Sequence, residues 1–120
     1  MLKEEPAGPR VERKIESGQA IVSSINLGEA YYSLAGKLPV SEEGRVRAAI
    51  SALRDRVTLY EPDWPLVLSA AQLKARNAIS YADSFCVATA RRHRAPLWTG
   101  DPEIIALADL VDVVDLREEP

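Results

Sequence analysis

Strand-like and helix-like apolar segments alternate along this chain, and no two-residue hairpin turn joins any pair of the strand-like segments. Consecutive parallel strands need a crossover of a dozen or more residues between them, usually a helix. The alternation therefore predicts an α/β fold in which a mostly parallel sheet is covered by helices on both faces. Apolar, β-branched and aromatic content places the predicted strands at 19–26, 56–63, 95–99 and 111–116.

Helices are predicted between these strands from apolar residues that recur every three or four positions. A short first helix ends at Gly18, and Ser41 is the expected N-cap of a helix over 42–56. The other predicted helices cover 27–37, 66–78, 80–94 and 101–110.

The size and composition of the chain predict a single domain, residues 1–120, with no internal boundary. The chain contains 18 acidic and 15 basic side chains, so its net charge is −3. A polyanion would therefore need a local basic patch to bind. Cys86 is the only cysteine, which excludes an intrachain disulfide and favours a cytoplasmic setting. Neither a signal peptide nor a membrane-spanning segment is predicted.

Three acidic residues lie close to predicted helix starts. Glu29 follows Asn26 by three positions and Asp83 follows Ser80 by three, which is the spacing of a capping box. Asp101 directly precedes a proline, as an N-cap residue often does. Helix capping is therefore a sufficient explanation for each acid taken alone.

The same three acids also fit one shared site. Ligands of open parallel sheets bind outside the carboxyl ends of the strands, and Glu29 and Asp101 both follow predicted strands. The helix that begins near Asp83 can start at the same edge. Three neighbouring carboxylates repel one another unless a cation compensates their charge. Such an all-oxygen cluster suits Mg²⁺ or Mn²⁺, which can assist attack on phosphorus.

Three stretches carry the most specific motifs of the chain: SSINLGEAYY (23–32), ISYADSFCVATARRHRAPLWTGDPEI (79–104) and VDVVDL (111–116). They include an ordered run of an alanine–aspartate helix start, a small-residue helix, an apolar strand and a Thr-x-Asp motif. Together these stretches resemble the PIN-domain ribonucleases, in particular the VapC-type toxins of toxin–antitoxin pairs. The likeness extends over nearly the whole chain from about residue 3 onward, and the ordered run is its most specific part.

This resemblance implies a PIN-like α/β/α sandwich and a Mg²⁺- or Mn²⁺-dependent endoribonuclease that acts on cellular RNA. It implies that Glu29, Asp83 and Asp101 match three of the family's acidic metal-site positions. Thr99 matches the hydroxyl residue near the last of them. It also implies neutralisation by a small antitoxin protein and assembly into a homodimer, and no membrane partner is expected.

The sequence departs from this family at its start. Members of the family open with an apolar central strand that ends in Asp followed by Ser or Thr, whereas MLKEEPAG resembles the helix after that strand. The first central strand and its metal aspartate are therefore expected to be absent, as in an N-terminally truncated domain. One hypothesis is that strands 20–26 and 95–99 close up on each other, and another is that a second chain covers the gap.

Two classes of function follow from this departure. One is a VapC-like endoribonuclease whose activity is impaired by the missing acid. The other is a catalytically inactive PIN relic that dimerises or binds an antitoxin. A phosphotransfer domain with Asp101 as nucleophile is disfavoured because the sequence contains no glycine-rich phosphate loop.

Arg91, Arg92 and Arg94 cluster at the end of a predicted helix. Cations are stabilised at helix C-termini by the helix dipole, and this explains the cluster without any ligand. The functional alternative is that these three arginines contact RNA phosphates.

Overall fold

The computed structural model of the chain describes residues 9–117. One or two helices separate successive strands along these residues, as predicted, and a 3-10 turn at Val40–Glu42 precedes the third helix. Within this range, no helix combines the length and the apolar character needed to cross a membrane. The elements are α1 Pro9–Glu16, β1 Ile21–Ser23, α2 Ser24–Ala35, α3 Glu43–Arg56, β2 Thr58–Tyr60, α4 Trp64–Arg76, α5 Tyr81–His93, β3 Leu97–Thr99, α6 Pro102–Ile105 and β4 Val113–Asp115.

The strands of residues 9–117 form two separate parallel pairs. Val22 of β1 lies opposite Leu59 of β2, and Trp98 of β3 lies opposite Val114 of β4. The predicted α/β fold with parallel strands is therefore confirmed. Because β1 and β3 do not pair with each other in this part of the chain, the hypothesis that they close up is wrong. Cover by a second chain stays a prediction, and the segment MLKEEPAG lies outside the described residues.

Alternate strand residues face two hydrophobic clusters. Ile21 and Leu97 pack into one cluster with α4 and α5, whereas Val22 and Trp98 pack into the other with α1 and α3. Successive side chains of a strand point to opposite faces, so the two clusters are the two covers of an α/β/α sandwich. Helix α5 also contacts both β1 and β3. Among residues 9–117, the two strand pairs are thus joined through side chains and not through a continuous backbone ladder.

Side-chain hydrogen bonds fix several helix starts. The Ser80 hydroxyl accepts the Asp83 backbone N–H at 3.1 Å, and the Asp101 carboxylate accepts the Glu103 backbone N–H at 2.9 Å, so both predicted caps are confirmed. Ser41 is not the N-cap of α3. It lies in the 3-10 turn, and the N-cap position of α3 carries no side-chain bond.

The first predicted strand ends earlier than its apolar content suggests. Ser23 caps α2: its hydroxyl accepts the Asn26 backbone N–H at 3.3 Å and donates to Asn26 Oδ1 at 2.7 Å. The capping pair is therefore Ser23 and Asn26, and the predicted pair of Asn26 and Glu29 is wrong. Glu29 lies in the second turn of α2. Local hydroxyl bonds to the backbone favour a helix start over a continued strand.

Asp63 caps α4 and also ties it to α5. Its Oδ1 accepts the Leu66 backbone N–H at 2.9 Å and a guanidinium N–H of Arg92 at 2.9 Å. Both bonds lower the pKa of Asp63, and the bond from the Leu66 backbone N–H has the larger effect. A lowered folded-state pKa means that the contribution of Asp63 to stability is complete above its unfolded pKa of about 3.9. That contribution is lost as the pH falls through the folded-state pKa.

We expect Asp63→Asn to flatten the acid dependence of the melting temperature below about pH 4, because asparagine caps the helix without titrating. Thermal unfolding followed by circular dichroism between about pH 2 and pH 5 measures this dependence. Asp55→Asn, at an exposed position of α3, is the matched control. An acid dependence in Asp63→Asn as steep as in the wild type would contradict the expectation.

Candidate metal centre

The starts of α5 and α6 bring two of the predicted acids to one place. Asp83 lies in the first turn of α5, and Asp101 is the N-cap of α6, just after β3. In the first turn of α2, the side-chain Nδ2 of Asn26 donates to the Ala82 carbonyl oxygen at 2.8 Å. This bond holds the start of α2 against the start of α5. Three helix starts therefore meet beyond the carboxyl ends of β1 and β3.

Thr99 shapes the turn that carries Asp101. It ends β3, is fully buried, and accepts the Asp101 backbone N–H through Oγ1 at 3.0 Å. The carboxylate of Asp101 in turn accepts the Glu103 backbone N–H. A carboxylate has about four acceptor sites, so capping α6 leaves Asp101 able to act as a ligand as well. Capping and participation in a site are therefore compatible roles for this residue.

The carboxylates of Asp83, Asp101 and Glu103 form an acid group in which one oxygen of each lies within 4.8 Å of the others. Among residues 9–117 it is the only group of three acidic, histidine or cysteine side chains this close together. Asp83 is 4% exposed, Asp101 is half-buried and Glu103 is exposed. The group thus runs from the protein core to the solvent.

Glu103 belongs to this acid group, and Glu29 does not. Glu29 is half-buried on α2, and its assignment as a metal ligand stays a prediction. Sequence reasoning gave Glu103 no role, although an indication was present in the run Asp-Pro-Glu at 101–103. An acid in the first turn of a helix lies beside the N-cap residue and is stabilised by the helix dipole.

The donor set of the acid group fits Mg²⁺ or Mn²⁺. Mg²⁺ binds six oxygens at about 2.0–2.1 Å, so its ligand oxygens stand about 3 to 4 Å apart. Oxygens that already lie within 4.8 Å of one another reach this spacing through small side-chain rotations. An all-carboxylate set also favours a hard cation over one that prefers nitrogen or sulfur. A cation there relieves the mutual repulsion of the three negative charges.

Asp115 lies opposite Thr99 in the β3–β4 pair but has another partner. Its two carboxylate oxygens accept hydrogen bonds from the Arg117 guanidinium at 3.0 and 2.9 Å. These bonds, together with one from the Arg117 backbone N–H, hold the pKa of Asp115 below its usual range. Asp115 is therefore an ionised partner of Arg117 and not a member of the acid group.

The three predicted nucleic-acid contacts differ in their surroundings at the end of α5. A guanidinium N–H group of Arg92 donates to both carboxylate oxygens of Asp63, at 2.9 and 3.0 Å. Arg94 is the C-cap residue, with a φ of 51°, and its backbone N–H donates to the Ala90 carbonyl oxygen. Arg91 is exposed and has no carboxylate partner among residues 9–117. Arg91 is thus the member best placed to meet an external anion.

The sequence matches the PIN domain family over residues 1–110. The chain belongs to the PIN domain family. Its acid group lies within the matched range, at the carboxyl end of β3. No match was found among curated proteins.

Solved structures share the fold of this PIN domain. A chain of VapBC2 from Rickettsia felis, bound to a DNA fragment from their promoter, has a TM-score of 0.68 and 14% identity over 88% of this chain and 81% of that one. A chain of FitAcB from Neisseria gonorrhoeae has a TM-score of 0.67 and 24% identity over 98% of both. A chain of VapBC-1 from nontypeable Haemophilus influenzae has a TM-score of 0.65 and 21% identity over 93% and 85%. The predicted PIN-like architecture is therefore confirmed.

Proposed function

We propose that this PIN domain is a VapC-like toxin, a cytoplasmic endoribonuclease that cleaves RNA phosphodiester bonds with the help of a divalent cation. The observation that carries the proposal is the acid group of Asp83, Asp101 and Glu103 at the carboxyl end of β3. Ligand sites of open α/β sheets lie at that edge. Membership of the PIN domain family supports this class of chemistry.

The residues of the site divide into cation ligands, further acidic residues and one positioning residue. Asp83 and Asp101 would hold the cation, and Glu103 and the predicted ligand Glu29 would complete the acidic surroundings. The bound cation supplies charge stabilisation at the phosphate and lowers the pKa of water. Thr99 is a positioning residue, because its hydroxyl fixes the backbone of Asp101.

The proposal includes a small antitoxin protein as partner and a homodimer as the assembled form. The resemblance to VapC-type toxins implies both. The similar solved structures, which include VapBC2, VapBC-1 and FitAcB, support the antitoxin partner.

Isothermal titration calorimetry of the purified chain with MnCl₂ tests the cation site. We expect binding by the wild type and at least about tenfold weaker binding by Asp101→Asn. Asparagine is as good an N-cap residue as aspartate, so this substitution removes a charge while α6 remains capped.

Asp63→Asn is the matched control for this titration. Asp63 caps α4 through the same kind of carboxylate bond and lies outside the acid group. We expect Asp63→Asn to bind Mn²⁺ as the wild type does. Absence of binding by the wild type, or equal binding by Asp101→Asn, contradicts the proposal and favours the inactive relic.

A further inference from the structure

Two adjoining grooves between α4 and α5 share Arg91, which has no ion-pair partner among residues 9–117. Arg91 lines both grooves, together with Ser69, Gln72 and Leu73, and their volumes are about 460 and 380 Å³. Arg76, near the end of α4, lines the second groove. The first groove is lined by α4 and α5 alone, whereas Asn77 after α4 and Leu110 before β4 also line the second.

The lining of these grooves is basic. None of their described lining residues is acidic, although acidic side chains outnumber basic ones in the whole chain. Arg76 and Arg91 are exposed, and within residues 9–117 no carboxylate forms an ion pair with either. Arg92, which lines the first groove, is paired with Asp63. Unpaired guanidinium groups in an acid-free groove create a local positive potential on a protein of net negative charge.

No residue of the acid group lines either groove, and the directions of α4 and α5 show how far the two arginines lie from it. Because Arg92 at the end of α5 binds Asp63 at the start of α4, the two helices run antiparallel. Arg76, the last residue of α4, therefore lies towards the start of α5, where Asp83 is found. Arg91 follows Asp83 by eight residues, which is about 12 Å along the helix axis. A strand with one phosphate at the acid group has phosphates a few nucleotides away within reach of the groove.

We propose that these two adjoining grooves together bind the phosphodiester backbone of single-stranded RNA next to the cleaved bond, with Arg76 and Arg91 as the phosphate contacts. The inference rests on the proposed function, because it assumes an RNA substrate at the acid group. Guanidinium groups bind phosphate through two parallel hydrogen bonds. The side chains of Ser69 and Gln72 suit phosphate and sugar oxygens.

Arg94 takes no part in this interaction. It lines a third cavity, of about 310 Å³, that Arg91 also lines and that contains Asp109 and Asp112. Its two carboxylates balance the two guanidinium groups, so that cavity has no positive excess, whereas no described lining residue of the two grooves is acidic. Of the arginines that the sequence singled out, Arg91 is the phosphate contact, and Arg76 is an addition that only the packing of α4 against α5 reveals.

Fluorescence anisotropy with a labelled single-stranded RNA of about 12 nucleotides tests the proposal. EDTA is present, so that binding is measured without metal and without cleavage. We expect the double variant Arg76→Gln/Arg91→Gln to bind about tenfold more weakly than the wild type. The slope of log K against log salt concentration should become about 1.4 less steep, because each phosphate contact on a single strand contributes about 0.7.

The matched control is Arg13→Gln/Arg54→Gln, which removes the same charge from exposed positions of α1 and α3 that have no ion-pair partner among residues 9–117. We expect its RNA affinity to stay within about twofold of the wild type. Equal weakening in both double variants would show a general charge effect and overturn the proposal. Loss of a protein partner with unchanged RNA affinity in the groove variant would make the groove a protein interface and would also overturn it.

Failure of this inference is distinguishable from failure of the proposed function. The anisotropy measurement needs no cation, whereas the calorimetric titration needs no RNA. If the double variant does not fold by circular dichroism, the single variants Arg76→Gln and Arg91→Gln are compared with Arg54→Gln. Half of the slope change, about 0.7, is then expected for each, and no change would overturn the proposal.

Discussion

Asp83→Asn is expected to lower RNA cleavage at least about a hundredfold while the protein remains folded. Asp83 is the most buried member of the acid group, and the substitution removes one of three negative charges that would hold the cation. A bound cation contributes several kcal/mol of charge stabilisation to phosphoryl chemistry, which corresponds to a loss of this size. The start of α5 is preserved, because the Ser80 hydroxyl accepts from the backbone N–H of residue 83.

Gel analysis of a labelled single-stranded RNA incubated with the protein and MnCl₂ measures this loss. Asp55→Asn is the control, and it should cleave as the wild type does, because Asp55 is exposed on α3 and lies outside the acid group. Circular dichroism establishes that each variant is folded. A folded Asp83→Asn that cleaves within about threefold of the wild type would show that the acid group is structural. If the wild type cleaves the RNA no faster than Asp83→Asn does, the acid group is likewise structural.

The fold class was predictable because the order of elements restricts the topology more strongly than the length of any element does. Parallel pairing follows from helical crossovers, and β1–β2 and β3–β4 both pair in parallel. Element ends were less predictable, because one local hydrogen bond decides them. The Ser23 hydroxyl bonds to Asn26 and turns the apolar run into helix three residues before the predicted end.

The acid group was predictable only in part. The proximity of Asp83 and Asp101 follows from a general property of α/β sheets, namely that the carboxyl ends of the strands share one edge. Glu103 requires the conformation of the turn after Thr99, and Arg76 requires the packing of α4 against α5. Sequence spacing encodes neither of these, since both depend on side chains that meet across different elements.

Truncation of Leu97 to alanine is expected to lower the free energy of unfolding by about 2–5 kcal/mol. Leu97 begins β3, is fully buried and packs in the cluster of α4 and α5. Its removal leaves a cavity beneath a strand that, among the described residues, is paired on one side only. Domains of this size are stable by about 5–15 kcal/mol, so the loss is a large fraction of the total.

Urea unfolding followed by circular dichroism measures this loss, with Leu68→Ala as the control. Leu68 is 43% exposed on α4, so the same truncation there should change the free energy of unfolding by about 0.5 kcal/mol or less. If side-chain packing joins the two strand pairs, the cost at Leu97 must far exceed the cost at Leu68. A loss below about 1 kcal/mol for Leu97→Ala would mean that β3 is held mainly by its ladder with β4. The turn that carries Thr99 and Asp101 would then depend on that ladder and not on the core.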